Sequence, residues 1–212
     1  MLRRLLGLPK TILFNFYYLD FNKAIRFPIR VAHDVKIKNM GSRKSLVLKN
    51  CSKLSIGYAG SFALGNRSYW SVSNNGQIIC EGSVTLSRGI QLIVDGKCIF
   101  GKNFFCNSNS IINIGSSLTI GEDVIVGWGC KILDGDGHKI IDNGIEQTKY
   151  EKIIIDSHVW LASDVTVLKG TVIKDGSIVA SNACVTKPFE ESNILIGGFN
   201  TILKKNISWE KE

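Results

Sequence analysis

From Ile155 onward the chain sets an aliphatic residue at every sixth position, through Leu161, Val167, Ile173 and Val179 to Val185. The same interval links Ile114, Ile120, Val126 and Ile132. Helices repeat their apolar face about every 3.6 residues and strands about every two, so neither accounts for a period of six. A chain winding round a triangular prism, one hexapeptide to a face, does. The spacing therefore predicts an all-β fold, a parallel β-helix with each beat residue pointing into the prism. A second inward residue follows four positions later, as Val124, Val159, Val165 and Ala183 do. Successive coils would stack about 4.8 Å apart through parallel backbone hydrogen bonds.

Breaks in this beat divide the chain. Ile56-Gly57, Val84, Ile90 and Phe100-Gly101 form early beats that are loosely phased. Between Phe100 and Ile114 the phase slips by two residues, which predicts a bulge or a corner insertion. The stretch from Ile114 to Ile132 is regular, with Gly115, Gly121 and Gly127 following their beat residues. Ile132 and Ile155 then lie 23 apart, no multiple of six, so an excursion is expected over 137–152. It contains Asp142-Asn143-Gly144, a turn signal, and loops inserted into a repeat scaffold commonly carry function. Lys187-Pro188 is expected to end the coil, because proline has no N–H for the ladder. The result is an N-terminal lead-in or cap over 1–44, a coil over 45–188 and a tail over 189–212.

Hydrophobic residues make up 44% of the chain and charged residues 21%, the balance of a folded globular protein. Its 21 glycines against 3 prolines suit a coil with many tight corners. A formal net charge of +8 points to an anionic contact, whether cofactor phosphates, a membrane or nucleic acid. The lysines are dispersed and no recognition motif occurs, which argues against nucleic acid. Cys51, Cys80, Cys98, Cys106, Cys130 and Cys184 show no CxxC or metal-ligand spacing. They suit a reduced, cytoplasmic protein, and Cys130 reads as a small core residue. Near the N-terminus, Arg3, Arg4 and Lys10 precede an apolar, aromatic run ending at Leu19. Pro9, Asn15 and Asp20 interrupt any signal-peptide pattern, and no segment approaches the roughly 20 apolar residues of a membrane span. A packed cap is the preferred reading. The alternative is a basic, aromatic foot giving peripheral contact with the inner face of a membrane.

Three stretches resemble the hexapeptide-repeat acyltransferases, in particular the bacterial O-acetyltransferases of capsule, lipopolysaccharide and exopolysaccharide biosynthesis. They are IGEDVIVGWGCKILDGDGHK over 120–139, VWLASDVTVLKGTVIKDGSIVASNACVTK over 159–187, and the opening LPKTILFNFYYLDFNKAIRFPI. The resemblance implies a left-handed coil, contrary to the usual right-handed crossover. It also implies acetyl-CoA as co-substrate, no metal, a carbohydrate acceptor and a homotrimer with sites between protomers. Two departures stand out. Ala162 replaces the family's usual glycine, and Gly198 is followed by Phe199-Asn200-Thr201-Ile202 where the family has a proline and then a base. Lys204 or Lys205 would have to stand in for that base.

The chain has three histidines, His33, His138 and His158. His33 lies in the lead-in, and His158 reads as a surface residue at a corner. His138 follows Asp134-Gly135-Asp136-Gly137, where the resembling enzymes carry their general base. The reaction implied is transfer of an acetyl group from a thioester to a sugar hydroxyl. An alcohol must lose its proton as it attacks, and an imidazole titrates near the working pH. Asp136, or less so Asp134, would orient the ring or hold acceptor hydroxyls; a plain turn role competes for both. By resemblance, Ser163 and Ser181 contact acetyl-CoA, Thr186 and Lys187 meet its phosphate end, and Lys205 is a weaker candidate. Trp128 and Trp160 would wall the acceptor or thioester pocket, or pack between subunits.

Three other readings compete. A zinc-dependent hexapeptide-repeat enzyme needs three imidazoles, and the spacing of these histidines does not offer them. A non-catalytic structural β-helix needs no histidine in the excursion. N-acetylation of an amino-sugar would use the same fold and base.

Overall fold

The computed structural model describes residues 2–60 and 66–210. Among these residues, three sheets of nine, seven and six strands form the faces of a prism. The chain visits the faces in rotation. Ile29–Val31 lies on the first, Lys36–Asn39 on the second and Leu46–Leu48 on the third, and each following strand of the coil, up to Leu195–Gly197, pairs in parallel with the one a coil earlier. Beat residues fill the interior as expected. Ile114, Val126, Ile132, Ile155, Leu161, Val167, Ile173, Val179 and Val185 are all fully buried, with Val124, Val159 and Val165. Cys130 is buried among them.

Coil length explains the uneven beat. Leu92, Ile112 and Ile132 are register partners twenty residues apart, whereas Thr166 and Cys184 are eighteen apart. The phase slip is therefore neither a bulge nor a corner insertion. Each longer coil has an extended strand on the second face, which adds an inward position filled by Val94 and then by Ile114.

Two boundaries differ from the sequence reading. The coil starts near Ile29, not at 45, because Ile29–Val31 already pairs with Leu54–Ile56. That first turn is 25 residues long, so no hexad marks it. Nor does Pro188 end the coil. It sits at a corner, where no ladder N–H is required, and Phe189 N–H donates to the Val172 carbonyl at 2.8 Å. Leu195–Gly197 rejoins the first face in parallel before Thr201–Lys204 turns back antiparallel.

The N-terminal segment forms α1 (Leu2–Leu6), α2 (Leu8–Tyr18) and α3 (Phe21–Ala24). Pro9 sits in the first turn of α2, where its missing N–H costs nothing. Thr11, Phe14, Asn15 and Tyr18 recur at helical spacing and face the coil. Phe14 meets Trp70 edge-on at 5.3 Å, and Asn15 donates to the Ile29 carbonyl. This inner face of α2 thus packs against the first coil.

Candidate active site

The excursion leaves the coil after Lys131–Leu133 on the second face and returns at Ile153–Ile155 on the third. It is an antiparallel hairpin. Gly135 bridges Tyr150, and Ile141–Asp142 pairs with Ile145–Glu146. Asn143 and Gly144 both have positive φ, the two-residue turn that matches strand twist. The turn expected at Asp142-Asn143-Gly144 is thus the hairpin tip. His138 lies on the outgoing arm, exposed, and its ring has no hydrogen-bond partner among the described residues.

Asp134 corrects one expectation. It continues the register of Val94 and Ile114, facing inward with no exposed surface. Its carboxylate accepts backbone N–H groups from Gly115 at 2.7 Å, Ser116 at 2.7 Å and Ser117 at 2.9 Å. One coil earlier, the N–H groups of Asp95, Gly96 and Lys97 donate to carbonyls of Ile114 and Ser116. Beyond 134 the chain has left the stack, so no such carbonyls lie beneath Gly115–Ser117. Asp134 supplies the missing acceptors. It is part of the scaffold and has no oxygen free to hold an acceptor sugar.

Asp136 is turned outward, and its carboxylate pairs with Lys169 Nζ at 2.5 Å. The same ammonium donates to the Thr148 carbonyl at 2.6 Å, so Lys169 ties both arms of the hairpin to the coil below. Asp136 therefore anchors the base of the loop, and among the described residues no hydrogen bond or ion pair joins it to His138. Tyr150 packs over Gly115 and Gly135, where any Cβ would collide with its ring. Gly170 is fixed by its φ of +77°, which side chains rarely adopt; the Glu151 carboxylate beside it is a flexible end that can move aside. Lys169 escaped the sequence reading, although it precedes Lys187 by eighteen residues, one short coil. That interval stacks the two lysines on the same corner.

Thr186 and Lys187 occupy this second corner, between the second and third faces. Thr186 is held by Asn200, whose amide donates to its hydroxyl at 2.7 Å and whose oxygen accepts its N–H at 2.8 Å. Lys187 is exposed, has no carboxylate partner among the described residues, and lies 5.6 Å from the Phe189 ring centroid. It borders a depression of about 490 Å³ with Asn200 and Glu191. Lys205 is paired with Glu191 at 2.7 Å on the surface.

Ser163, Ser181 and Trp128 lie elsewhere, on the corner joining the first and second faces. They follow the stacking, since Asp164 N–H donates to Trp128 O and Asn182 N–H to Ser163 O. Trp160 is on the first face, paired with Ile125 and Ile178. Apart from Trp160 and Lys205, the candidate residues thus gather about two corners with the second face between them. His158 lies exposed at its corner, the surface position expected of it. Trp209 of the tail stacks on its ring at 4.2 Å and donates its indole N–H to the His158 carbonyl at 2.9 Å.

No family model matches the chain. It is 25% identical over 145 residues to the polysialic acid O-acetyltransferase of Escherichia coli O1:K1, covering 68% of this chain and 45% of that protein. It is 28% identical over 159 residues to WbbJ of Escherichia coli K12, named for O-acetyl transfer in lipopolysaccharide biosynthesis. That match covers 66% of this chain and 80% of WbbJ. The chain thus spans less than half of the first relative and most of the second. The solved polysialic acid O-acetyltransferase OatWY superposes with a TM-score of 0.51 at 23% identity, over 84% of this chain and 92% of that one. The fold is the left-handed parallel β-helix of such neighbours.

Proposed function

We propose that this chain, a hexapeptide-repeat protein of the acetyltransferase type, transfers an acetyl group from acetyl-CoA to a sugar hydroxyl in surface polysaccharide biosynthesis. The observation that carries the proposal is His138, an imidazole with no partner among the described residues, held out on a hairpin that is anchored at its base. A free ring nitrogen suits a general base, and the anchoring by Asp134 and Lys169 fixes where the hairpin arm starts.

In the proposed reaction the acceptor hydroxyl attacks the thioester carbonyl while His138 takes its proton. The tetrahedral intermediate collapses by breaking the C–S bond, and the imidazolium returns the proton to the departing thiolate. The products are the acetyl ester and free coenzyme A, with no acyl-enzyme. Buried Cys80, Cys98, Cys106 and Cys130 offer no nucleophile, since burial holds each thiol protonated. Lys187, uncommitted at the second corner, suits a coenzyme phosphate. Lys205 is weaker because it is already paired.

Ser163 and Ser181 lie one face away from His138, which favours a homotrimer. In it, the hairpin of one protomer would meet the serine-bearing corner of its neighbour. Exposed Ile140, Ile141 and Ile145 on the hairpin give that contact an apolar surface. Peripheral membrane contact through the N-terminal helices belongs to the same proposal.

Replacing His138 with alanine tests the reading. Turnover should fall by about 10²–10⁴-fold while acetyl-CoA affinity stays unchanged. An H138A protein with full turnover would sink it. Amino and hydroxyl acceptors assayed side by side separate ester from amide formation.

A further inference from the structure

The outer face of the N-terminal helices is the least explained surface of the molecule. Opposite the buried side of α2, Leu8, Ile12, Leu13 and Phe16 point into solvent, so this helix is apolar on both faces. Phe21 and Phe27 extend the patch, with ring centroids 6.1 and 6.3 Å from that of Phe16. Phe21 is 68% exposed. Scattered exposed apolar residues need no explanation, but a contiguous aromatic patch does.

Charge accompanies it. Residues 1–30 hold Arg3, Arg4, Lys10, Lys23, Arg26 and Arg30 against Asp20 alone. Arg3 is committed to Asp34, and Lys10 to the carbonyls of His33 and Val35. Among the described residues the side chains of Arg4, Lys23, Arg26 and Arg30 make no hydrogen bond or ion pair. A groove of about 650 Å³ beside α3 is lined by Lys23, Arg26, Arg30 and Lys53, with Phe27 and Leu54, and by no carboxylate. An adjoining groove of about 330 Å³ shares Phe27 and Arg30 and adds Arg4 and Leu8. Uncommitted cations thus rim an apolar patch and line a groove next to it.

We propose that this face docks on an anionic phospholipid bilayer, with the α2–α3 patch among the acyl chains and the groove around Arg26 and Arg30 receiving a lipid phosphate. The geometry is interfacial: α2 has 11 residues, and no described helix is long and apolar enough to cross a membrane. Charge complementarity selects anionic lipid over a second copy of this chain, which would set like charges against one another. The inference gives the peripheral contact proposed above a site and a lipid class, and it does not depend on acetyl transfer.

Flotation of the full chain with phosphatidylcholine vesicles, with and without phosphatidylglycerol, tests it. Binding should require phosphatidylglycerol and weaken as salt rises. Combining Lys23→Gln, Arg26→Gln and Arg30→Gln should cost about a hundredfold in partitioning, roughly fivefold per charge. Ile12→Glu with Phe16→Glu should abolish binding with circular dichroism unchanged, and the charge variant still decides the matter if this one fails to fold. Equal binding to neutral vesicles, or no binding by the folded wild type, overturns the proposal. So does a change in oligomer mass in the variants with vesicle binding intact, which would assign the face to a second copy. Acetyl transfer to a soluble acceptor, measured alongside, separates the readings. Docking without transfer sinks only the proposed reaction, and transfer without docking sinks only the membrane site.

Discussion

Replacing Asp134 with asparagine should destabilise the coil while leaving the chemistry of the folded protein largely intact. The carboxylate accepts three backbone N–H groups without any exposed surface. An asparagine oxygen can keep the pair from Ser116 and Ser117, but its amide nitrogen then faces the Gly115 N–H, donor against donor. Stranding one buried donor costs about 1–3 kcal/mol. Turning two charge-assisted bonds into neutral ones about halves their strength. Together these give roughly 3–5 kcal/mol, and at about 2–4 °C per kcal/mol for a chain of this size the melting temperature should fall by about 10 °C. Thermal unfolding at fixed protein concentration reads that shift, and kcat is measured below the lowered transition. An unshifted melting temperature together with lost turnover would refute the reasoning. It would mean that the carboxylate serves the acceptor after all.

Lys169→Met should release the hairpin from the coil, lowering kcat/KM by about tenfold and speeding proteolysis within 137–149. Stability should drop by less than about 1 kcal/mol, since the pair is partly solvated, and Lys169→Arg should restore activity. A proteolytic pattern like the wild type's would count against the clamp. Desolvation by burial raises the Cys80 thiol to about 12 and the Cys130 thiol to about 11, with Cys98 and Cys106 also raised. Unfolded thiols titrate near 8.5, so this contribution is complete below that pH and is lost as pH rises toward the folded values. Urea midpoints should therefore fall between about pH 9 and about pH 11, and a flat profile would contradict the burial. In the native protein a thiol reagent should react first with exposed Cys51, and with the buried four only after unfolding.

The hexad beat reported the fold because each inward aliphatic is a separate vote for the same prism. Where coils are eighteen residues long, as around Val167 and Val185, the votes align and the reading is direct. Where they lengthen to twenty, the added position at Ile114 reads as a fault in the rhythm, although every strand stays in register. Coils near the N-terminus are longer still, so Ile29–Val31 passed for a lead-in. The excursion and its turn were legible because Asn143-Gly144 forces a local backbone shape. The use made of Asp134, Lys169 and Asn200 was not. Each acts on a residue at least 14 positions away, and a sequence shows such a contact only once the coil length is known. The outward face of α2 was legible only as the alternative of a basic, aromatic foot, for a related reason. Its apolar residues alternate with those of the packed face, and the two together read as one hydrophobic run.

Because a single carboxylate closes the rung where the chain departs, the segment between 137 and 149 contributes little to holding the solenoid together. Its length and composition can drift, or be exchanged by grafting, so long as the acid at 134 and the lysine at 169 stay. Such a socket would let one rigid body carry different arms, and on the proposed reaction acceptor choice would change with the arm while the solenoid stays untouched.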